Sequence, residues 1–593
     1  MFIKRTKVKR EGREYVYLQM VEGHRDEHGR VRQRVVAKLG REDELKASGQ
    51  LDALAASFAR LDPPLAGVRR EVGPLLLLSH LAHELEIAAT VDRLLARSPR
   101  SELSVGELVV ALLANRLCSP SPLYDVSGWA SGAALAELFG TPAQLLSDDR
   151  LGRGLELFAP HAETVRGAVA ARAIERFGID AGRLHVDLTA VRMTGAYEDS
   201  ALVRKGWAQG RGVGRQVRAL QASSADGVSL YLRPDPGNAA ELTLIGSSLE
   251  RLRSLAEGGG GGPALLVCDS AVGQPRTLAQ IERAGLGFIA PLKASTGWRE
   301  RYLAEVGPQA LRPLAYVSGR ERKLPGAKRT RYRGAIRDWE AVDPETGAPH
   351  RFRVAYIHSS EEEREVGAAR ERALARAEEK LGRIRNGLGG RHYKTREQVD
   401  RRVSQILVGP VSELIEVKTQ TRKGRPTISF KRDEDAIAAA ASTDGVYALA
   451  TNLQDRRLGA NAILDRYKGQ QIVERRHRDL KQTLRVRPIF LHKDERIHAL
   501  VSIIGIALLV FGLIESELRK RWAEATGGEE ELMAGLLPEG RAAKPTGRNV
   551  LGAFQGLGLT YTAGGIVLDR LTATQRHILE LLEVEVPWPE RER

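Results

Sequence analysis

Cysteine is almost absent from this chain. Cys118 and Cys268 are the two found in 593 residues, and they form no CxxC pair. That excludes a disulfide framework and a thiolate zinc site, and it fits a reducing cytosol. Long apolar runs are also missing. The most apolar segment, Ala499 to Ile514, is 16 residues long and lies between His498 and Glu515. It falls short of a comfortable membrane span and predicts a buried core helix, so no membrane is expected as a partner. The N-terminal stretch MFIKRTKVKR is basic with no apolar segment behind it, which argues against a signal peptide. The glycines of QGRGVGR (209–215) are followed by no GK[ST] and sit in no clear βαβ unit, so they read as a flexible loop. No Ser-His-Asp set can be argued from spacing.

Positive charge is what the chain has in excess. The formal charge is +16 with a pI near 9.8, which points to polyanionic partners without separating DNA, RNA and acidic membrane surfaces. Hydrophobic residues make up 42%, enough for ordinary cores, and the length suggests three or four domains.

In chain order, residues 1–40 read as a basic β-hairpin region. YVYLQMV (15–21) and VRQRVVAKL (31–39) flank the Asp26–Gly29 turn region. Residues 41–178 read as helical, with apolar residues spaced by three and four, and form a candidate DNA-binding region. Asp148 and Asp149 read as a helix N-cap. After Gly178 the period changes. RLHVDLTAVRM, QVRALQAS and VSLYLRP read as strands, the last two joined through Asp226-Gly227. ALLVCD (264–269) and LGFIAPLK (286–293) follow, with helices between. This is a mixed α/β sheet over 179–294. Residues 295–440, with a basic cluster at Arg320–Arg333 and a charged helix from Glu361, read as a largely β insertion. The sheet resumes over 441–519, and 520–593 reads as a C-terminal helical region, a candidate for dimerisation.

Three acids stand out by position. Asp187 lies in the first strand, Asp269 ends an apolar strand, and Glu474 sits in YKGQQIVERRHRDLK (467–481). On one helix, Tyr467, Gln470, Glu474 and Lys481 would share a face. Arg466, Lys468, Arg475, Arg476, Arg478, Arg485 and Arg487 surround that face with positive charge. A solvated helix with ion pairs is the plain alternative, as strand-end caps are for the two aspartates. Taken together, one acid per element suits hard divalent cations, and two Mg²⁺ could drive an in-line displacement. His185 reads as a packed core histidine. His477 either approaches the acids or faces solvent.

On these residues the chain resembles bacterial insertion-sequence transposases of the DDE type with a Tyr-x2-Arg-x3-Glu-x6-Lys signature. Tyr467, Gln470, Glu474 and Lys481 keep every spacing, with Gln470 in place of the arginine. The opening forty residues, DLTAVRMTG, LRPDPGNAAE, VCDSAVG and RPIFLHKDERIHAL also look familial. The resemblance implies an RNase H-like core interrupted by a largely β insertion, below a mainly helical N-terminal region. It implies Asp187, Asp269 and Glu474 as catalytic residues binding two Mg²⁺ or Mn²⁺ ions. Tyr467, Gln470, Lys481, Arg475 and Arg478 become candidate DNA contacts. Trp298 and Trp339 are candidates to hold a flipped base, although a core tryptophan is the commoner reading of either. The implied partners are double-stranded DNA, as inverted repeats and target, and a second copy of the chain on paired ends. The implied location is the cytoplasm, at the nucleoid. The rival readings are a DNA-binding derivative that no longer cleaves and an RNase H-like nuclease without strand transfer.

Overall fold

The computed structural model describes all residues except 1, 11–12, 26–30, 49, 51–66, 96–100, 209–211, 259–263, 271, 344–345, 456, 487–488, 529–530, 563 and 592–593. The chain divides into two units. The smaller is Met1–Glu71, Leu557–Arg570 and Val586–Arg593; the larger is Val72–Gly556 and Leu571–Glu585.

The smaller unit holds β1 (Phe2–Arg10), β2 (Arg13–Arg25) and β3 (Val31–Arg41) in one antiparallel sheet of that order. The runs 15–21 and 31–39 lie in β2 and β3. β1 is an additional strand, whose many lysines and arginines mask its alternation in sequence. The Asp26–Gly29 turn lies outside the described residues. β4 (Arg69–Glu71) belongs to a second small sheet completed near the C-terminus.

The larger unit opens with helices, among them Val105–Cys118, Asp148–Phe158 and Ala162–Phe177. The first begins with a capping box, Ser104 Oγ accepting from the Glu107 amide at 3.0 Å. Ser147, rather than Asp148 or Asp149, caps the second: its Oγ accepts from Arg150 N at 3.4 Å, and the aspartates fill the first turn.

Then come β5 (Arg183–Arg192), β6 (Arg204–Ala208), β7 (Gly212–Ser224), β8 (Ser229–Pro236), β9 (Leu265–Cys268), β10 (Gly287–Pro291), β11 (Arg312–Leu314), β12 (Tyr332–Val342), β13 (Pro349–Ser359), the hairpin β14 (Ile415–Arg422) and β15 (Arg425–Arg432), and β16 (Val446–Thr451). Ten of these form one sheet, ordered β11-β12-β13-β16-β10-β9-β5-β7-β6 with β8 also on β7. β9 runs parallel to both β5 and β10; the other pairings are antiparallel.

This arrangement corrects the reading of 295–440 as one inserted block. β11, β12 and β13 lie inside that stretch yet extend the large sheet, with β13 paired to β16. The cause is visible in β13, where Phe352 to Ser359 are buried in succession. A strand apolar on both faces needs cover on both faces, so it goes to the interior of a sheet. The separate body is smaller. The helices Ser360–Asn386, Arg396–Ile406 and Glu434–Ala441 close with β14–β15 around Leu374, Leu381, Ile384, Val399 and Ile428.

The helix Asp494–Ala525 crosses the larger unit, and 94% of its most apolar window is buried. At Gly512 it nears the β7–β8 turn so closely that a Cβ would stand 2.9 Å from Gly227 O. β17 (Gly558–Thr562) and β18 (Gly565–Leu568) form a hairpin, and β17 pairs with β4 in the smaller unit. The region 520–593 is therefore not purely helical.

Candidate active site

The parallel pairing of β5 and β9 sets Val186 beside Cys268. The next residue in each case is an acid, Asp187 within β5 and Asp269 just past the end of β9, so the two carboxylates lie side by side where β9 ends. Outside the carboxyl ends of parallel strands is where open α/β sheets place ligands. Leu188 N donates to Asp187 Oδ1 at 2.7 Å, and Asp187 Oδ2 lies 3.3 Å from His477 Nδ1. Burial first, then the neighbouring charge of Asp269, pushes the Asp187 carboxyl up to about 7. Glu474 adds a smaller push in the same direction.

Glu474 and His477 share the helix Gln471–Arg478, three residues apart on one face. Val473, Arg476 and His477 are its buried residues, whereas Glu474 is exposed. His477 is driven down to about 3 by burial and the charge of Lys481, so it meets Asp187 as a neutral ring. Its Nε2 is buried without a hydrogen-bond partner.

The seating of this helix is firm. Arg476 is 0% exposed; its Nε donates to Gly227 O at 2.5 Å, and its Nη1 to Asp479 at 3.0 Å and Glu515 at 3.2 Å. Glu515, the first charged residue after the apolar run, also accepts from Gly547 N at 3.0 Å. Arg475 and Arg519 reach its other oxygen at 3.5 and 2.7 Å. In sequence Arg476 reads as one of the cations around the Glu474 face. The acid that ends the 499–514 run was the available signal that a buried cation must answer it.

The single helix expected over 467–481 is broken. One helix ends at Lys468, the next starts at Gln471, and a π-helical turn covers Asp479–Thr483. Two contacts fix this junction. At Gly469 a Cβ would lie 2.6 Å from the His185 ring, and the Gln470 amide is committed to β5. Gln470 Nε2 donates to Val186 O at 2.9 Å, and its Oε1 sits 3.3 Å from His185 Nδ1. Gln470 is 8% exposed, which corrects its expected role as a DNA contact. It instead ties the Glu474 helix to the strand of Asp187. His185, buried and held down to about 4, is the packed core histidine expected.

Tyr467 packs against Tyr447 with ring centroids 6.2 Å apart. Burial, then the charge of Asp269, raises its phenol to about 12. It stays protonated beside the acids and can donate a hydrogen bond. Lys468 Nζ lies 5.4 Å from the ring centroids of both Tyr332 and Tyr447. Arg478 is exposed, Lys481 partly so, and Arg475 is drawn toward Glu515. Trp298 is a core residue at 4% exposure. Trp339 lies half-buried on β12, 5.8 Å from the Phe352 ring, with Arg301 5.0 Å from its centroid.

Among the described residues, no three His, Cys, Asp or Glu side chains converge closely enough to hold a metal ion as they stand. The chemistry of the acids nonetheless fits a hard divalent cation. Asp187, partly shielded from solvent and facing a neutral imidazole, is pushed up by the adjacent Asp269, and a divalent cation held between the two carboxylates would relieve that repulsion.

Three family models match. Residues 3–65 match the N-terminal domain of the IS1634 family of transposases, residues 69–165 a domain of unknown function (DUF4277), and residues 180–510 the transposase DDE domain. No curated protein matches the chain. A solved structure entitled a piggyBac transposase synaptic complex with hairpin DNA aligns at 9% identity and a TM-score of 0.36. That alignment covers 88% of this chain and 87% of the other. At that score the likeness carries no argument.

Proposed function

The chain belongs to the transposases with a DDE domain, matched over residues 180–510, and we propose that Asp187, Asp269 and Glu474 are the acids of that domain here. The N-terminal match makes it an insertion-sequence transposase, an enzyme that acts on DNA. The observation that carries the assignment is the side-by-side placement of Asp187 and Asp269, with the helix of Glu474 tied to the same strand through Gln470. The strand order β8-β7-β5-β9-β10, with β5 parallel to β9 and β9 to β10, supports an RNase H-like core.

Asp187 and Asp269 would hold Mg²⁺ or Mn²⁺, with Glu474 as the third ligand. Two such ions, when bound, supply an activated water or 3′-hydroxyl and stabilise the leaving oxygen of an in-line phosphoryl displacement. The chain's own residues do the rest. The Tyr467 phenol donates to a phosphate oxygen, and Arg478 and Lys481 hold the DNA backbone beside the acids. With Tyr467, Gln470, Glu474 and Lys481 the signature is present in altered form, its arginine replaced by a glutamine used inside the fold. The reaction is nicking at the element's ends and joining of the 3′-hydroxyl to target DNA, by two copies on paired ends, in the cytoplasm.

The test incubates the full chain with a duplex carrying the element's terminal inverted repeat and Mg²⁺, then resolves nicked, hairpin and joined products. Glu474→Gln should cut product formation by at least about 100-fold while leaving duplex binding intact. Normal joining by that variant sinks the triad. Binding without cleavage by the unmutated chain supports instead a DNA-binding protein that no longer cuts.

A further inference from the structure

The hairpin β6–β7 is built with two unlike faces. Its register sets Lys205 opposite Arg215, Gly206 opposite Gly214 and Trp207 opposite Val213. Cross-strand partners share a face, as do alternate residues along each strand. One face therefore carries Gly206, Gly214 and Gln216, and the other Lys205, Trp207, Val213 and Arg215. Residues 212–215 of QGRGVGR thus lie in a strand and not in the loop that the sequence suggests.

The glycine face is pressed onto the protein. Arg192 on β5 donates from Nη1 to Gly206 O at 3.4 Å and from Nη2 to Gly212 O. A Cβ at Gly214 would run into that guanidinium, and one at Gly206 into Gly237 O. Gln216, fully buried, donates from Nε2 to Gly237 O at 2.9 Å. The ribbon is fixed from beneath, and its other face is open: Trp207 is 64% and Val213 71% exposed. A single exposed apolar side chain is ordinary. Here an aromatic and an aliphatic residue stand side by side next to a pair of opposed cations. Like charges directly opposite destabilise a strand pair, and an anion over Lys205 and Arg215 would relieve that. Arg215 donates from Nη1 to Tyr197 O at 3.0 Å, which leaves its charge in place. Arg204 and Lys205 are exposed, and the sequence from Arg204 to Arg218 contains no Asp or Glu.

Position identifies the ligand. β7 places Gln221 opposite Asp187 and Val213 opposite Trp207. That stretch of β7 is about 26 Å long at the usual rise per residue. It runs past the end of β9, toward the carboxyl end of β5. A duplex with one phosphodiester at Asp187 and Asp269, lying along these strands, reaches the ribbon about eight base pairs away, at roughly 3.4 Å per pair. The major groove admits a two-stranded ribbon. We propose that β6–β7 enters the major groove of the element's own terminal repeat, about eight base pairs inward from the cut, with Trp207 and Val213 against base edges and Arg204 and Lys205 on phosphates. The element's end is held through both nicking and joining, whereas flanking and target DNA each take part in one step, so a rigid ribbon suits the former. The proposal rests on reading Asp187 and Asp269 as the acids that cut.

The test is duplex binding to the full chain by fluorescence anisotropy, without divalent ions, so that no strand is cut. One duplex carries about twenty base pairs of the terminal repeat inward from the cut; a second keeps about five, with its length restored on the flanking side. On the first duplex Trp207→Ala should bind about tenfold more weakly than the unmutated chain, and on the second equally well. Trp207→Phe should recover most of the loss, and Lys205→Ala should lower the salt slope on the first duplex by about one. Both side chains are exposed, so the variants keep the fold. Equal affinity of Trp207→Ala and the unmutated chain on the first duplex overturns the proposal. So does a loss that is as large on the second duplex, or the lack of saturable duplex binding. The cleavage assay separates this site from the acids. A Trp207 effect confined to the first duplex, in a chain that never cuts, upholds the ribbon and sinks the acids; a chain that cuts without any Trp207 effect does the reverse.

Discussion

Two acids packed against the Gln471–Arg478 helix and its surroundings meet opposite fates. Glu515 is 1% exposed. Burial pushes its carboxyl up, yet Arg476 and Arg519, the Gly547 amide and Arg475 together hold it below the ordinary value. Asp187 is partly buried, its side chain 18% exposed, and its carboxyl is pushed up to about 7, by burial and by Asp269. At Glu515 the chain provides the positive charge itself. At Asp187 it provides a second acid and a neutral histidine. Repulsion between two neighbouring carboxylates is destabilising when both are ionised, and a bound cation would relieve it. The first arrangement holds the fold; the second is the one proposed above to hold metal ions.

The contrast can be broken by mutation. Arg476→Met should be the most damaging change, lowering stability by about 3–5 kcal/mol, because Glu515 and Asp479 lose a buried partner. Urea unfolding measures it, and a loss under about 1 kcal/mol would remove Arg476 as the anchor of the Glu474 helix. Asp187→Asn should act in the other direction. In protein stripped of divalent ions it relieves the repulsion with Asp269, and should raise stability by about 1–3 kcal/mol while abolishing cleavage. A loss of stability there would show that Asp187 is a satisfied structural acid like Glu515.

The sequence carried the parts of the site that depend on local pattern. Asp187 and Asp269 were visible because each is a lone acid in or ending an apolar strand. The core helix over 499–514 was visible because its run is apolar on every side. What was hidden depends on contacts between distant segments. Gln470 looked like a weakened phosphate contact, but its partners Val186 and His185 lie far away in sequence. The close approach of His185 to Gly469 likewise joins distant segments, which no helical periodicity encodes. That the strands within 295–440 join the large sheet was hidden for a similar reason. Their burial comes from pairing with β16, which follows the small inserted body rather than preceding it.

The most direct measurement is Mn²⁺ binding to the full chain, followed by electron paramagnetic resonance with Mg²⁺ as competitor. Expected is saturable binding that Mg²⁺ displaces, lost in Asp187→Asn and in Asp269→Asn but kept in Glu515→Gln. Undiminished binding by both aspartate variants would contradict the assignment of Asp187 and Asp269 as the metal-holding acids of this transposase.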